Sequence, residues 1–263
     1  MRKKLVGMLM VIAAASVCAV TVQAQETITL NFEDQTLGST NPPPNWSMVL
    51  VHNPADAGYV VGEGAYGEGK GGYVKGRTSA AGDRNGWAAG AYIVNSGMEP
   101  FDASKPIIGS FDFYVEDVGN YCGGNFLFGN IADERNWEAG ELLEFHFRRS
   151  TFATRAQILD GAEDNIYAPG TNNEFVAGNT WYSGEFTWTP TNGLTGDVYI
   201  EWREGESTTV RWMAYEGFTF DNPEVWFGLG SGGRTGAAGD TRFDNVSIEG
   251  FPILPSGTFI MVR

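Results

Sequence analysis

Three stretches of the sequence place ionisable and hydroxyl side chains at every second position. They are Asp112-Tyr114-Glu116, Glu144-His146-Arg148 and Tyr199-Glu201-Arg203. Residues two apart project from the same face of a strand, so neighbouring strands would gather these groups on one sheet face. Paired carboxylates there would serve acid/base catalysis on a glycosidic bond. Tyrosine, histidine and arginine would serve a lyase that abstracts a proton beside a uronate. The alternative is a solvated face held by cross-strand charge pairs.

If the protein is an enzyme, the candidate catalytic residues are Tyr114, Glu116, Glu144, His146 and Arg148. His146 is the strongest single candidate because His52 is the only other histidine in the chain. The alternative for His146 is a surface position without a chemical role.

Aromatic side chains are candidates for sugar binding, because exposed rings stack on the apolar C–H faces of sugars. Five of them lie in segments rich in glycine, asparagine and proline: Trp46, Tyr66, Tyr73, Trp87 and Trp137. Such rings could equally close the end of a sandwich. Trp226 lies between two apolar residues and therefore faces away from the core. The carbohydrate-binding candidates are Trp226, Tyr199, Trp137 and Trp87.

Period-two alternation predicts the elements that position these side chains. Apolar residues occupy alternate positions in Ile107–Asp117, Glu141–Arg149 and Asp197–Glu204. No segment shows a sustained 3.6-residue period, so we expect no long helix. Glycine is abundant, with 36 residues, and turn clusters separate the alternating rows. The sequence therefore predicts an all-β fold, a two-sheet antiparallel β-sandwich.

The N-terminus has the pattern of an export signal. Met1-Arg2-Lys3-Lys4 precedes an apolar stretch, and Val22-Gln23-Ala24 supplies the small residues of a cleavage site. We expect residues 1–24 to be a signal peptide, and the protein to be secreted, whether extracellular, periplasmic or on the cell surface. No membrane span is expected after cleavage. The sandwich would occupy residues 25–250, and residues 251–263 would be a final strand or the start of a truncated extension.

Composition narrows the class of partner. The chain has 32 Asp+Glu against 17 Lys+Arg, a net charge of -15, which argues against nucleic acid. The same charge repels a polyuronate at long range, so a neutral glycan is the expected ligand. Nucleotide-binding, zinc and thiol-redox motifs are absent from the sequence.

Four short motifs point to a family. They are Asn31-Phe32-Glu33-Asp34, Asn179-Thr180-Trp181-Tyr182, Val225-Trp226-Phe227-Gly228-Leu229 and Phe243-Asp244-Asn245-Val246-Ser247-Ile248. With these motifs the chain resembles exported bacterial domains of the concanavalin A-like lectin/glucanase superfamily, from about Glu26 to Gly250. The resemblance implies a jelly roll of two curved sheets whose concave face and edge loops meet carbohydrate.

The resemblance leaves three functions open. The first, which we expect, is a secreted protein that binds a poly- or oligosaccharide. The second is a polysaccharide lyase or glycoside hydrolase. Against it, Glu141-Leu142-Leu143-Glu144 has leucine where laminarinase-like members carry the aspartate of E-x-D-x-x-E. The third is a structural surface domain without a soluble ligand.

A carboxylate near the end of the sandwich is a candidate metal ligand. Strict alternation puts Asp244 on the same face as Val246 and Ile248, and a carboxylate turned toward a core must be paired or bind a cation. Glu33 and Asp34 end the first strand, which in similar folds lies beside the last. Oxygen ligands suit Ca²⁺, so we predict a structural Ca²⁺ held by Glu33 or Asp34 with Asp244. The alternative is that Asp244 lies at a bulge or strand end and accepts backbone N–H groups.

Overall fold

Short strands and glycine-rich turns make up the computed structural model of the chain. The structure describes residues 24–30, 32–51, 58–77, 90–115, 122–131, 142–149, 154–160, 164–166, 179–233 and 238–253. Within them there is one short 3-10 helix, Ala65–Gly67, and no α-helix. The strands are β1 Glu26–Leu30, β2 Ser47–Val51, β3 Gly58–Glu63, β4 Lys70–Arg77, β5 Gly90–Val94, β6 Phe101–Asp102, β7 Ile107–Val115, β8 Cys122–Gly129, β9 Leu142–Arg149, β10 Thr154–Asp160, β11 Asp164–Ile166, β12 Thr180–Asn192, β13 Thr195–Glu204, β14 Arg211–Thr219, β15 Glu224–Gly233 and β16 Ala238–Gly250.

The strands form two antiparallel sheets of eight strands each. Sheet 1 has the order β14-β13-β12-β7-β16-β4-β3, and β1 pairs with β16. Sheet 2 has the order β11-β10-β9-β8-β15-β5-β2, and β6 pairs with β15. Most neighbours in each sheet are distant in sequence, so the sheets are built by crossovers between them. The predicted two-sheet antiparallel sandwich is confirmed.

The core lies between the two sheets and is formed by the predicted alternation. On β7, Ile107, Phe111 and Phe113 are buried, as expected. Phe111 of sheet 1 stacks on Phe126 of sheet 2, with ring centres 4.7 Å apart. Burying one such side chain contributes roughly 1.5–3 kcal/mol before chain entropy is counted. This packing fixes the inward face of each strand and therefore the side chains that point outward.

Part of the outer face of sheet 2 is also buried. A second apolar cluster, called here the outer cluster, lies there and consists of Val49, Tyr92, Val94, Leu127, Ile131 and Leu142. Glu144 lies on the same face of β9 as Leu142 and is 2% exposed. Burial raises the pKa of Glu144 to about 8. The prediction that Glu144 lies on an open polar face is wrong, because this face is covered and the carboxyl group is desolvated.

A β-bulge in β16 reverses the predicted orientation of Asp244. Val246 and Ile248 point into the core, whereas Asp244 pairs with the outward-facing Asp112 of β7. The register shifts directly after Asp244, where Asn245 has a φ of 50°. One extra residue changes the parity of the strand. Asp244 therefore does not share a face with Val246, and the alternative of a carboxylate at a bulge is correct.

Residues 251–253 continue the sandwich beyond β16. The amide of Ile253 donates to the carbonyl of Pro100 at 2.7 Å, and the amide of Asp102 donates to the carbonyl of Phe251 at 2.7 Å. Residues 1–23 and 254–263 lie outside the described residues, so the signal peptide and the rest of the C-terminal segment stay predictions. Among the helices of the described residues, none has the length and apolar character needed to cross a bilayer.

Candidate functional site

The outer face of sheet 1 carries four rows of polar and aromatic side chains. Each row runs across the strands, because cross-strand partners lie side by side. Successive rows are two residues apart on each strand, a spacing of about 6.8 Å. This face brings the chemistry-bearing side chains of several strands together.

The first row, the aromatic row, consists of Tyr73, Arg242, Tyr114 and Trp181, each the register partner of the next. The guanidinium carbon of Arg242 lies 4.3 Å from the ring centre of Tyr73 and 4.5 Å from that of Tyr114. Trp181 follows, with its ring centre 5.5 Å from that of Tyr114. A cation held between two ring faces is a favourable contact that orders all three side chains. The row is therefore a preorganised, half-exposed platform.

The turn between β3 and β4 adds a further ring to this platform. Tyr66 is 49% exposed, and its ring centre lies 6.1 Å from that of Trp181. Its φ of 54° is in the left-handed region, which a bulky residue rarely occupies. Backbone strain of this kind persists only where surrounding contacts hold it, and it is frequent at binding sites.

Asp244 provides one of those contacts. Its Oδ2 accepts the backbone N–H of Ala65 at 2.8 Å, and its Oδ1 accepts the N–H of Asn245 at 2.8 Å. Burial raises the pKa of Asp244; the two N–H bonds oppose that rise, while the charges of Asp112 and Glu33 add to it. The carboxylate thus ties the β3–β4 turn to the bulge of β16.

The second row is a hydrogen-bonded network that reaches Tyr66. Ser183 Oγ donates to Asp112 Oδ1 at 2.6 Å, and Asn245 Nδ2 donates to Asp112 Oδ2 at 2.8 Å. The Tyr66 hydroxyl lies 3.2 Å from Ser183 Oγ. Because the serine proton is directed at Asp112, the tyrosine hydroxyl is the donor in this contact. The network fixes Tyr66 above the sheet and connects three strands of sheet 1.

The third row contains two directly opposed carboxylates. Glu185 on β12 and Glu201 on β13 are register partners, so their Cβ atoms are about 4.5–5.5 Å apart. Two negative charges directly opposite each other on neighbouring strands lower the stability of the fold.

Two pockets of about 150 Å³ and 410 Å³ lie at the third row and share Ser110 and Glu185 in their walls. We call the continuous groove formed by these two pockets the trough.

The fourth row ends the trough with a second aromatic platform. Tyr199 is 38% exposed and stacks on Trp212 at 6.1 Å with an interplanar angle of 24°. Its hydroxyl donates to Glu201 Oε2 at 3.0 Å. Partial burial and this hydrogen bond raise the pKa of Tyr199, which keeps the phenol a neutral donor. Its register partner Thr187 lines the larger pocket. Tyr199 therefore faces outward as predicted, and its sugar-binding role stays a prediction.

Two of the predicted catalytic residues, Tyr114 and Glu144, lie on opposite sides of the sandwich. Tyr114 lies on the outer face of sheet 1, whereas Glu144 is buried on the outer side of sheet 2. The core separates these two faces, so the predicted convergence of Tyr114 with Glu144 is wrong. His146 and Arg148 lie on β9 of sheet 2, and their side chains are outside the described ones. Glu116 is also outside the described residues.

The remaining predicted sugar-binding rings have mixed positions. Trp226 faces away from the main core, as expected, but it packs against the outer cluster of sheet 2. Its Nε1–H donates to the carbonyl of Met98 at 3.3 Å. Trp46 is buried in the core. Trp87 and Trp137 lie outside the described residues. Sugar binding by Trp226, Trp87 and Trp137 stays a prediction.

The contacts of the predicted calcium ligands do not fit a calcium ion. Both oxygens of Asp244 accept backbone N–H groups, and Glu33 Oε1 accepts the N–H of Lys70 at 2.7 Å. The Lys70 ammonium donates to the backbone carbonyls of Glu33 and Gln35, the latter at 2.8 Å, so a positive charge already binds the backbone of this segment. Asp34 is exposed. Within the described ranges, no group of three His, Cys, Asp or Glu side chains is arranged to hold a metal.

Sequence analysis assigned no site role to several residues of this face, and for three of them the alternation contained the signal. The same alternation that places Tyr182 in the core places Trp181 and Ser183 outward, and Glu185 follows on the same face. Asn245 had no such signal, because the bulge that exposes it depends on pairing with β7.

The two sheets and their open face define a concanavalin A-like jelly roll. Basic winged bean lectin, solved with Tn-antigen, aligns with a TM-score of 0.51 and 10% identity over 87% of this chain and 100% of that chain. A protein of unknown function from Shewanella oneidensis aligns with a TM-score of 0.55 and 14% identity over 92% of this chain and 91% of that one. An engineered GH43 glycoside hydrolase aligns with a TM-score of 0.56 and 12% identity over 86% of this chain and 41% of its own. No family model and no curated protein matches the sequence.

Proposed function

We propose that the protein is a secreted carbohydrate-binding protein and that its trough on sheet 1 binds a neutral glycan. The observation that carries this proposal is the position of Trp181 and Tyr66 beside the Ser183–Asp112 network, at one end of the trough. Aromatic rings cover the apolar face of a sugar, while carboxylate, hydroxyl and amide groups bind its hydroxyls.

The charges of the trough favour a neutral ligand. Four carboxylate residues line it, against one arginine: Asp112, Glu185, Glu201, Glu249 and Arg203. Carboxylates accept hydrogen bonds from sugar hydroxyls but repel uronates and sulfates. The net charge of -15 adds to that repulsion at long range. A neutral polysaccharide is therefore the proposed partner.

Affinity electrophoresis in gels that contain one polysaccharide each tests the proposal. The panel includes β-glucan, mannan and xylan as neutral chains, and polygalacturonate as an acidic chain. We expect retardation by at least one neutral chain and a loss of roughly ten-fold in affinity for Trp181→Ala. Met48→Ala is the matched control, because Met48 is an exposed apolar residue of sheet 2. Equal retardation of Trp181→Ala and the wild-type protein would contradict the assigned face.

Glycoside hydrolysis is a second candidate, favoured by the opposed pair Glu185 and Glu201. Two carboxylates flanking a glycosidic bond are the usual hydrolytic pair, and this pair lies in the wall of a pocket. Incubation with each neutral polysaccharide and measurement of reducing ends tests it. A hydrolase would release reducing ends and lose that activity in both Glu185→Gln and Glu201→Gln. If the wild-type protein binds a polysaccharide but releases no reducing ends from it, the protein binds glycans without hydrolysing them.

A further inference from the structure

We propose that the trough binds an internal segment of a linear neutral polysaccharide, which lies along β12 and contacts an aromatic platform at each end. This inference rests on the proposed function and adds the form of the ligand, a chain of several sugars. The platforms are the Trp181–Tyr66 pair at one end and the Tyr199–Trp212 pair at the other.

The spacing of the platforms requires a long ligand. Trp181 and Thr187 lie on one strand and are six residues apart, which corresponds to about 20 Å. Tyr199 lies beside Thr187 as its register partner on β13. A single sugar ring cannot reach both ends of such a span. Only a chain of several linked sugars can stack on Trp181 and Tyr199 at once. The inner rings lie closer together, because Tyr66 contacts Ser183 in the second row and Trp212 is the register partner of Glu201 in the third.

The floor between the platforms is continuous. The smaller pocket begins at Ser183 and Asp112, which connect to Tyr66 by hydrogen bonds. The larger pocket ends at Thr187, and the two pockets share Glu185. Strand β12 supplies a side chain at every second position of this floor, so the direction of the strand is the direction of the trough.

The chemistry of the floor fits a polyol and not an anionic or apolar chain. The walls alternate carboxylates with hydroxyls, as Ser183, Glu185 and Thr187 show along β12. Carboxylates only accept hydrogen bonds, and a neutral polysaccharide donates one from each free hydroxyl. The rings at the ends cover the C–H faces of the terminal sugars of the bound segment. The carboxylates therefore disfavour an anionic chain, and the hydroxyls and rings favour a polyol over an apolar chain.

The dependence of affinity on ligand length tests the inference. Gluco-, manno- and xylo-oligosaccharides are titrated calorimetrically as dimers, tetramers and hexamers against the wild-type protein, Trp181→Ala, Tyr199→Ala, the double variant and Met48→Ala. For the chain type that binds, we expect the hexamer to bind roughly ten-fold or more tightly than the dimer. Trp181→Ala and Tyr199→Ala should each lower the affinity for the hexamer roughly five- to ten-fold. In the double variant the two reductions should multiply. Met48→Ala should match the wild-type protein.

The outcomes separate the two proposals. A dimer that binds as tightly as the hexamer, or a hexamer that responds to Trp181→Ala and not to Tyr199→Ala, would overturn the two-platform trough and leave glycan binding at the Trp181 end intact. Failure of every oligosaccharide and polysaccharide to bind would overturn the proposed function together with this inference. Circular dichroism of each variant confirms that losses of affinity are not losses of folding.

Discussion

Asp244 connects the turn between β3 and β4 to the bulge of β16 by accepting the backbone N–H of Ala65. Tyr66 is the next residue in the turn. The carboxylate itself is 5% exposed and does not line either pocket. It acts on the site through the backbone, as a positioning residue. The strained conformation of Tyr66 is held by contacts to two strands. Asp244 of β16 accepts the N–H of the preceding residue, and Ser183 of β12, which donates to Asp112 of β7, contacts the Tyr66 hydroxyl.

Glu144 gives the stability of the protein a pH dependence. The folded state holds the Glu144 proton up to a pKa of about 8, whereas an unfolded glutamate releases it near 4.5. Between these values the folded state binds more protons, so its stability falls as the pH rises, by roughly 1.4 kcal/mol per unit of pKa difference at most. We expect the wild-type melting temperature to fall from pH 5 to pH 8 and that of Glu144→Gln to fall much less.

Thermal denaturation at several pH values measures this effect. Glu204→Gln removes an exposed carboxylate of β13 and should keep the wild-type dependence. If the melting temperatures of Glu144→Gln and the wild-type protein change with pH by the same amount, the buried carboxyl group does not remain protonated in the folded state.

Strand β4 contributes Lys70 to the place where calcium was predicted. The ammonium binds two backbone carbonyls of the segment that follows β1. We expect Lys70→Met to lower stability by about 2 kcal/mol, because two hydrogen bonds from a charged group to backbone carbonyls are lost. Lys105→Met, at an exposed lysine in a turn, should be near neutral.

Melting temperatures in calcium and in EDTA complete this test. We expect the wild-type protein to melt at the same temperature in both, because the oxygens of Asp244 and Glu33 Oε1 already accept backbone N–H groups. A higher melting temperature in calcium would restore the predicted calcium site.

At the scale of the element, alternation was sufficient to predict strands but not their irregularities. The inward residues of β7 and β13 alternate with outward ones, and both strands were predicted correctly from that alternation. The bulge after Asp244 broke the same rule, because it is set by the pairing of β16 with β7. A local pattern contains no information about that pairing.

At the scale of the whole molecule, the fold class was predictable and the neighbours of each strand were not. The three alternating rows that began the sequence analysis lie on β7, β9 and β13. The first and third belong to sheet 1 and share its outer face, while β9 belongs to sheet 2. The sequence predicted a polar side for each row. Whether that side is exposed to solvent or packs in the outer cluster depends on the sheet to which the strand belongs, which the sequence pattern does not contain.

The net charge predicts how binding responds to salt. A neutral hexasaccharide should bind with less than about two-fold change between low and physiological ionic strength, because no ion pair with the ligand is screened. Polygalacturonate should bind weakly at low salt and gain affinity as salt screens its repulsion from the acidic trough. Titrations of both ligands across a salt series measure this. Tighter binding of polygalacturonate at low salt would contradict the assignment of a neutral ligand.

The outer cluster on sheet 2 has a consequence for valency. Because Tyr92, Leu127 and Leu142 are buried on the described part of that face, the proposed trough is the one adhesive surface of a single copy among its described residues. Under the proposed function, such a molecule would bind one polysaccharide strand without linking it to a second one. Gelation or agglutination would then demand that copies be joined, by assembly or by a tether, so that two grooves point in different directions.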